Sequence, residues 1–139
     1  MNNGFKENFQ WVTLSSVALI YLYYFYRVLP PSGPDITVDQ IKFFTAMVVL
    51  LVAVHVIGAI VLIAVDRFKQ PETDERDQLI NLKARRNVSW VLSLGIFSAM
   101  ASAFFSEGNF WVMHVLLASL VAAQVIESAS TIFYYRRGF

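Results

Sequence analysis

Three ionisable side chains stand inside long uncharged runs of this chain: His55, His114 and Glu127. A carboxylate and a pair of imidazoles are groups that proton relays, acid–base sites and haem irons use, and each is expensive to place at membrane depth. Their levels follow from helix geometry. Counting from Lys42 and Asn109 along two helices that run the same way, at about 1.5 Å per residue, His114 lies roughly 7 Å, His55 roughly 20 Å and Glu127 roughly 27 Å from one membrane edge. Two axial histidines must face one iron from opposite sides, and a mismatch of about 12 Å between parallel helices does not allow that. No haem or other cofactor is expected, and His114, close to Trp111, reads as an amphipathic residue of the interface. Gln124 is level with His55, Glu127 lies deeper, and Ser98 on another helix reaches the same level. His55, Ser98, Gln124 and Glu127 therefore form the expected intramembrane polar cluster. Either it joins helices, with Glu127 protonated or locally paired, or it forms a relay for protons or cations, or a site for a small polar ligand.

A second concentration of charge fills residues 66–87. Pro71 ends the preceding helix, and Thr73 or Asp74 can cap a new one whose first turn is acidic and whose later turns are basic, the order that suits the helix dipole. Leu79, Ile80, Leu82 and Ala84 make that helix amphipathic, and Lys83, Arg85 and Arg86 sit where anionic head groups would be. One reading is an interfacial helix with a basic anchor in the lipid bilayer. The other is a docking site for a protein partner, with Asp74, Glu75, Arg76 and Asp77 as exposed polar contacts. A metal is not expected, because Asp74, Glu75 and Asp77 on one turn point in different directions and no histidine is near.

The elements that must carry these groups are plain in the charge pattern. Residues 8–26, 43–65 and 87–106 contain no Lys, Arg, Asp or Glu, and residues 108–135 contain only Glu127. Each run reaches about the 20 residues that a membrane helix needs, and none alternates as a barrel strand would. The 139 residues are 57% hydrophobic and 15% charged, too apolar for a water-soluble domain of this size. The first run ends at Tyr26-Arg27-Val28-Leu29-Pro30 without a small-x-small cleavage site, so it is expected to be retained as a span. Pro30, Pro31 and Pro34 force an extended link, which Asp35 or Thr37 follows as a cap, and residues 104–109 make a short turn between antiparallel helices.

With both termini on the cytoplasmic side, that side holds nine Lys and Arg residues and the other side only Arg27 and Lys42. The fold expected is all-α: a single integral membrane domain over 1–139, a four-helix bundle with spans at 9–29, 42–65, 88–106 and 110–134, and an amphipathic cytoplasmic helix in the 66–87 loop leading into the third span. Gly95, Ala99 and Ala103 recur at four-residue steps on the third helix, as do Ala118 with Ala122, or Ser119 with Ala123, on the fourth. Such faces serve either internal packing or a homodimer. The chain has no cysteine, which removes disulfides, thiolate nucleophiles and Cys-based metal sites. It has no nucleophile elbow or zinc-protease motif, and no basic face for direct contact with nucleic acid.

In the loop, Asp74-Glu75-Arg76-Asp77, then Ile80, then Lys83-Ala84, resembles the central cytoplasmic motif of a family of small four-span prokaryotic membrane proteins with no established activity. The resemblance implies the cytoplasmic (inner) membrane and, through frequent neighbourhood with small helix-turn-helix regulators, a regulatory partner held at the membrane. It implies no catalytic residues. The expectation is a non-enzymatic membrane component that binds a partner through its cytoplasmic loop. The alternative is a homodimeric transporter of a small ion or solute built on His55 and Glu127.

Overall fold

The computed structural model describes residues 3–65 and 75–137, nearly all of them in four α-helices: α1 (Asn3–Val28), α2 (Val38–Val65), α3 (Glu75–Phe105) and α4 (Phe110–Arg137). No strand occurs among the described residues, and the expected breaks and caps at Pro71, Thr73 and Asp74 lie outside them. By length and composition α2, α3 and α4 can each cross a membrane. With 26 residues α1 also has the length, but Asn8, Gln10, Thr13, Ser15 and Ser16 thin its apolar run. The amphipathic segment before the third run is continuous with it, so α3 is one helix of 31 residues.

The helices pack in a row: α2 on α1, α1 on α4, and α4 on α3, with no contact between α2 and α3 among the described residues. Each contact has a local cause. On α1, Val17, Tyr21, Tyr24 and Val28 recur every three or four residues, which puts them on one face, and that face closes with Phe110 into the apolar core. At Gly58 of α2 a β-carbon would sit 3.0 Å from Val12 Cγ1, so the missing side chain sets the approach of α2 to α1. At Gly95 of α3 a β-carbon would overlap the Ser119 side chain and lie 3.4 Å from its Cα. Ala99 and Ala123, one turn further along each helix, are buried too. The small-residue face of α3 thus points inward, at α4, while Ala103 at its end is exposed. On the other edge α2 buries no residue.

The two short connections lock together at one end of the row. Thr37 and Gln40 form a reciprocal capping box at the start of α2, Thr37 N–H donating to Gln40 Oε1 at 2.9 Å and Gln40 N–H to Thr37 Oγ1 at 3.3 Å. Phe110 N–H, an unpaired donor of the first turn of α4, reaches Pro34 O at 3.0 Å. Asn109 N–H donates to Asp35 Oδ1 at 3.1 Å, and Asn109 Oδ1 accepts from Ile36 N–H at 2.9 Å. Gly108 makes this docking possible. Its φ of +73° suits glycine, and a β-carbon there would strike Pro34 O and come within 2.8 Å of Asp35 Oδ1.

Gly95→Leu must drive α3 from α4, and we expect a loss of about 1–3 kcal/mol in reversible unfolding in detergent micelles, the usual scale of overpacking. Gly33→Ala, where a β-carbon meets nothing within 4 Å, is the control expected to leave unfolding unchanged.

Candidate functional site

His114 is not an interface residue. It is 5% exposed, stacked on Phe110 at 4.0 Å between ring centroids and parallel to Tyr24 at 5.9 Å. Nδ1 lies 2.8 Å from Phe110 O, an atom that can only accept, so Nδ1 carries the proton. In the neutral ring Nε2 is then an acceptor, and Tyr24 OH donates to it at 3.1 Å. Tyr24 is itself buried in this contact. Both hydrogen-bonding atoms of the imidazole are satisfied inside the protein, which makes His114 a joint between α1 and α4.

His55 is placed differently. Its Nδ1 lies 2.8 Å from Leu51 O, one turn back on α2, and its ring meets Phe9 edge-on at 6.4 Å. With Gln124 of α4 it lines a groove of about 390 Å³ between α2 and α4. Val17 and Tyr21 of α1 form the floor, and Leu51 and Leu120 are among the apolar walls. A second hollow of about 230 Å³ lies nearer the short connections and reaches Gln40 and His114. The two hollows share Phe44 and Leu117. The imidazoles of His55 and His114 thus face different compartments.

Of the expected cluster, His55 and Gln124 line one groove, and the other two residues stand apart from it. Ser98 is exposed on α3, which does not touch α2, and its hydroxyl donates to Leu94 O at 2.8 Å within its own helix. Glu127 is half-buried, and only its main-chain carbonyl is engaged, by Thr131 Oγ1 at 2.8 Å. Its carboxylate has no hydrogen-bond or ion-pair partner among the described residues. Sequence level alone could not supply the missing information, which is the helix neighbour that each side chain faces.

At the end where the termini lie, the acidic and basic residues of α3 divide by face. Asp77 is 7% exposed instead of free for a partner, and Tyr135 OH donates to its Oδ1 at 2.8 Å. Ile80 and Ala84 lie on the same stripe and are buried, as the spacing of three and four residues requires. Arg76 is half-buried, with Nη2 3.4 Å from Tyr135 O, and Asn87 Nδ2 donates to Ser130 Oγ at 3.2 Å. Lys83 reaches over the Tyr134 ring at 6.0 Å. Glu75, Leu79, Leu82, Arg85 and Arg86 are exposed, and Asp74 lies outside the described residues. Across the seam, Arg136 Nε bonds Glu7 Oε1 at 2.8 Å and holds that carboxyl below its ordinary pKa. A lowered pKa stabilises the folded chain above the unfolded value and is lost as pH falls, so this exposed tie weakens in acid. No group of three or more potential metal ligands occurs among the described residues.

The sequence signal for the Tyr135–Asp77 bond is that Asp77 stands three residues before Ile80 and seven before Ala84, on the same helix face as both. Tyr135→Phe would remove one donor from a buried carboxylate, and we expect a loss of about 1–3 kcal/mol in detergent unfolding. In Asp77→Asn the same tyrosine change should cost clearly less, a coupling that a double-mutant cycle measures.

No protein-family model matches this chain, and neither a curated protein nor a solved structure is significantly similar to it.

Proposed function

We propose that this chain is a non-enzymatic, four-span protein of the prokaryotic cytoplasmic membrane, with both termini in the cytoplasm, and that it presents the cytoplasmic start of α3 to a protein partner. The orientation is supported by charge. Among the described residues Arg76, Lys83, Arg85, Arg86, Arg136 and Arg137 gather at one end of the row, and Arg27 and Lys42 lie toward the other.

The observation that carries the reading is the register of α3. Turning Asp77, Ile80 and Ala84 onto α4 turns Leu79 and Leu82 outward, 55% and 64% exposed, beside exposed Arg85 and Arg86. A helix tied to α4 through Asp77 and Asn87 offers this surface in a fixed pose, and pre-organisation lowers the entropy that binding must overcome. Apolar residues rimmed by arginines suit a partner helix with an acidic edge. A small helix-turn-helix regulator, the partner class implied by the Asp-Glu-Arg-Asp resemblance, is the kind of protein such a surface would hold at the membrane.

Purification of the full chain from native membranes, with a photo-crosslinking residue at position 82, tests this. One defined soluble protein should be captured by the wild type and reduced at least about tenfold by Arg85→Glu/Arg86→Glu, the scale of losing a charge-assisted contact. Equal capture by the charge-reversed chain contradicts the proposal, and crosslinking to lipid alone returns the segment to a membrane anchor.

One observation favours transport as a second reading: His55 and Gln124 line one groove, and a separate hollow that shares Phe44 and Leu117 with it lies toward the outer end of α2. In this reading two copies enclose the path and the Glu127 carboxyl stands on its inner side. Proteoliposome flux should then fall by at least about tenfold in Glu127→Gln, as for loss of an essential proton-transfer group. An unchanged flux removes Glu127 from any such path.

A further inference from the structure

We infer that the groove between α2 and α4 is a binding site for a membrane-soluble hydroxyl compound, held by His55 and Gln124. The inference stands apart from partner binding by α3 and does not depend on it.

The first observation is depth. His55 lies 13 residues into the run from Lys42 and ten before the end of α2 at Val65. Those separations are roughly 20 Å and 15 Å along the helix, so phospholipid head groups at neither end come level with it. Gln124 sits at the same level on α4 and is exposed within the protein alone. Polar groups at that depth are costly unless something satisfies them.

The second observation is which atoms are left. His55 Nδ1 is committed as a donor to Leu51 O at 2.8 Å, so in the neutral ring Nε2 is a lone-pair acceptor. Neither Nε2 nor the Gln124 amide has a hydrogen-bond partner among the described residues. The groove therefore asks for a donor at the imidazole and accepts or supplies a hydrogen bond at the amide. One hydroxyl answers both: its O–H donates to Nε2 and its lone pair accepts from the Gln124 NH₂. A ketone, ester or ether carries no proton to give and answers only the second.

The third observation is the surrounding surface. About 390 Å³ is within the usual range of small-molecule sites. The floor and walls are largely apolar and aromatic, with Tyr21 and Phe44 as flat surfaces, and Leu51, Leu117 and Leu120 offer contact for an apolar tail. The backbones of α2 and α4 do not meet over the groove, which leaves it a side entrance from the bilayer. Two kinds of membrane-dissolved molecule have this chemistry, an alkylated quinol and a protonated fatty acid.

The test uses the full chain in phosphatidylcholine nanodiscs, with decylbenzoquinol, decylbenzoquinone and palmitic acid as probes, read by calorimetry. Saturable binding of the quinol, weakened about tenfold by His55→Phe and by Gln124→Leu separately, is the expected result, since each change removes one hydrogen bond. The quinone has the same ring and tail without the O–H, and should bind at least about tenfold more weakly. Ser98→Ala, on α3 away from the groove, should bind as the wild type does. If palmitic acid binds with this variant dependence and the quinol does not, the site stands with an acyl acid as its source. Equal binding of quinol and quinone, indifference to both variants, or no saturable binding of either hydroxyl probe overturns the inference. Crosslinks between Leu120→Cys chains that show a second copy seated in the groove also overturn it. Binding by Gln124→Leu is informative even if His55→Phe fails to fold, because the two residues are on different helices.

Discussion

The seam between α1 and α4 is the contact on which the rest of this structure depends. Among the described residues each outer helix has one neighbour, α2 held by α1 and α3 by α4, and the two halves meet there and where the two short connections touch. At the seam a tyrosine hydroxyl of one half donates a hydrogen bond to a histidine of the other, inside an aromatic stack of Tyr24, His114 and Phe110. In hydrocarbon there is no hydrophobic force to press helices together, because lipid tails are as apolar as leucine. Shape and hydrogen bonds must do it. Gly58 and Gly95 supply the shape on the outer contacts, and Tyr24 and His114 supply the hydrogen bond on the central one.

This arrangement also explains why the groove exists. With α1 recessed between α2 and α4, the flanking helices stand as walls, and His55 and Gln124 face each other's side of the gap without their backbones touching. A closed contact between α2 and α4 would have filled that space with side chains. At the other edge, α3 closes tightly on α4 through Gly95, Ala99 and Ala123, and its polar start is fixed by Asp77 and Asn87. The molecule thus has one tight side and one open side.

Much of the framework is legible in the sequence, and the reasons for what is not are physical. Uncharged runs mark the helices, Pro30, Pro31 and Pro34 mark the link, and Thr37 with Gln40 marks the start of α2. The levels of His55, Gln124 and His114 follow from counting residues. The faces do not. In water, a buried stripe is apolar and an exposed one polar, but α2 is apolar on every side, so periodicity carries no direction. That is why His114 reads as an interface residue when it is a buried joint, and why Ser98 reads as a neighbour of His55 when it sits on a helix that α2 never meets. The four-residue steps of Gly95 and Ala99 are visible, but only Ser119 opposite Gly95 says that they face inward. Asp77 is the reverse case: charge suggests exposure, and a tyrosine 58 residues away keeps it buried.

Because the chain has no cysteine of its own, introduced pairs can report the order of helices in native membranes without background. Oxidation of Val12→Cys/Gly58→Cys and Asn87→Cys/Ser130→Cys should each give an intramolecular disulfide, and a short bis-maleimide should join Glu7→Cys/Arg136→Cys across the seam, each seen as a mobility shift of the monomer. Val56→Cys/Phe97→Cys, joining exposed positions on α2 and α3, should give none. A monomer disulfide between α2 and α3 as efficient as those of the neighbouring pairs, or no link between positions 7 and 136, would contradict the row in which α1 and α4 join the two halves.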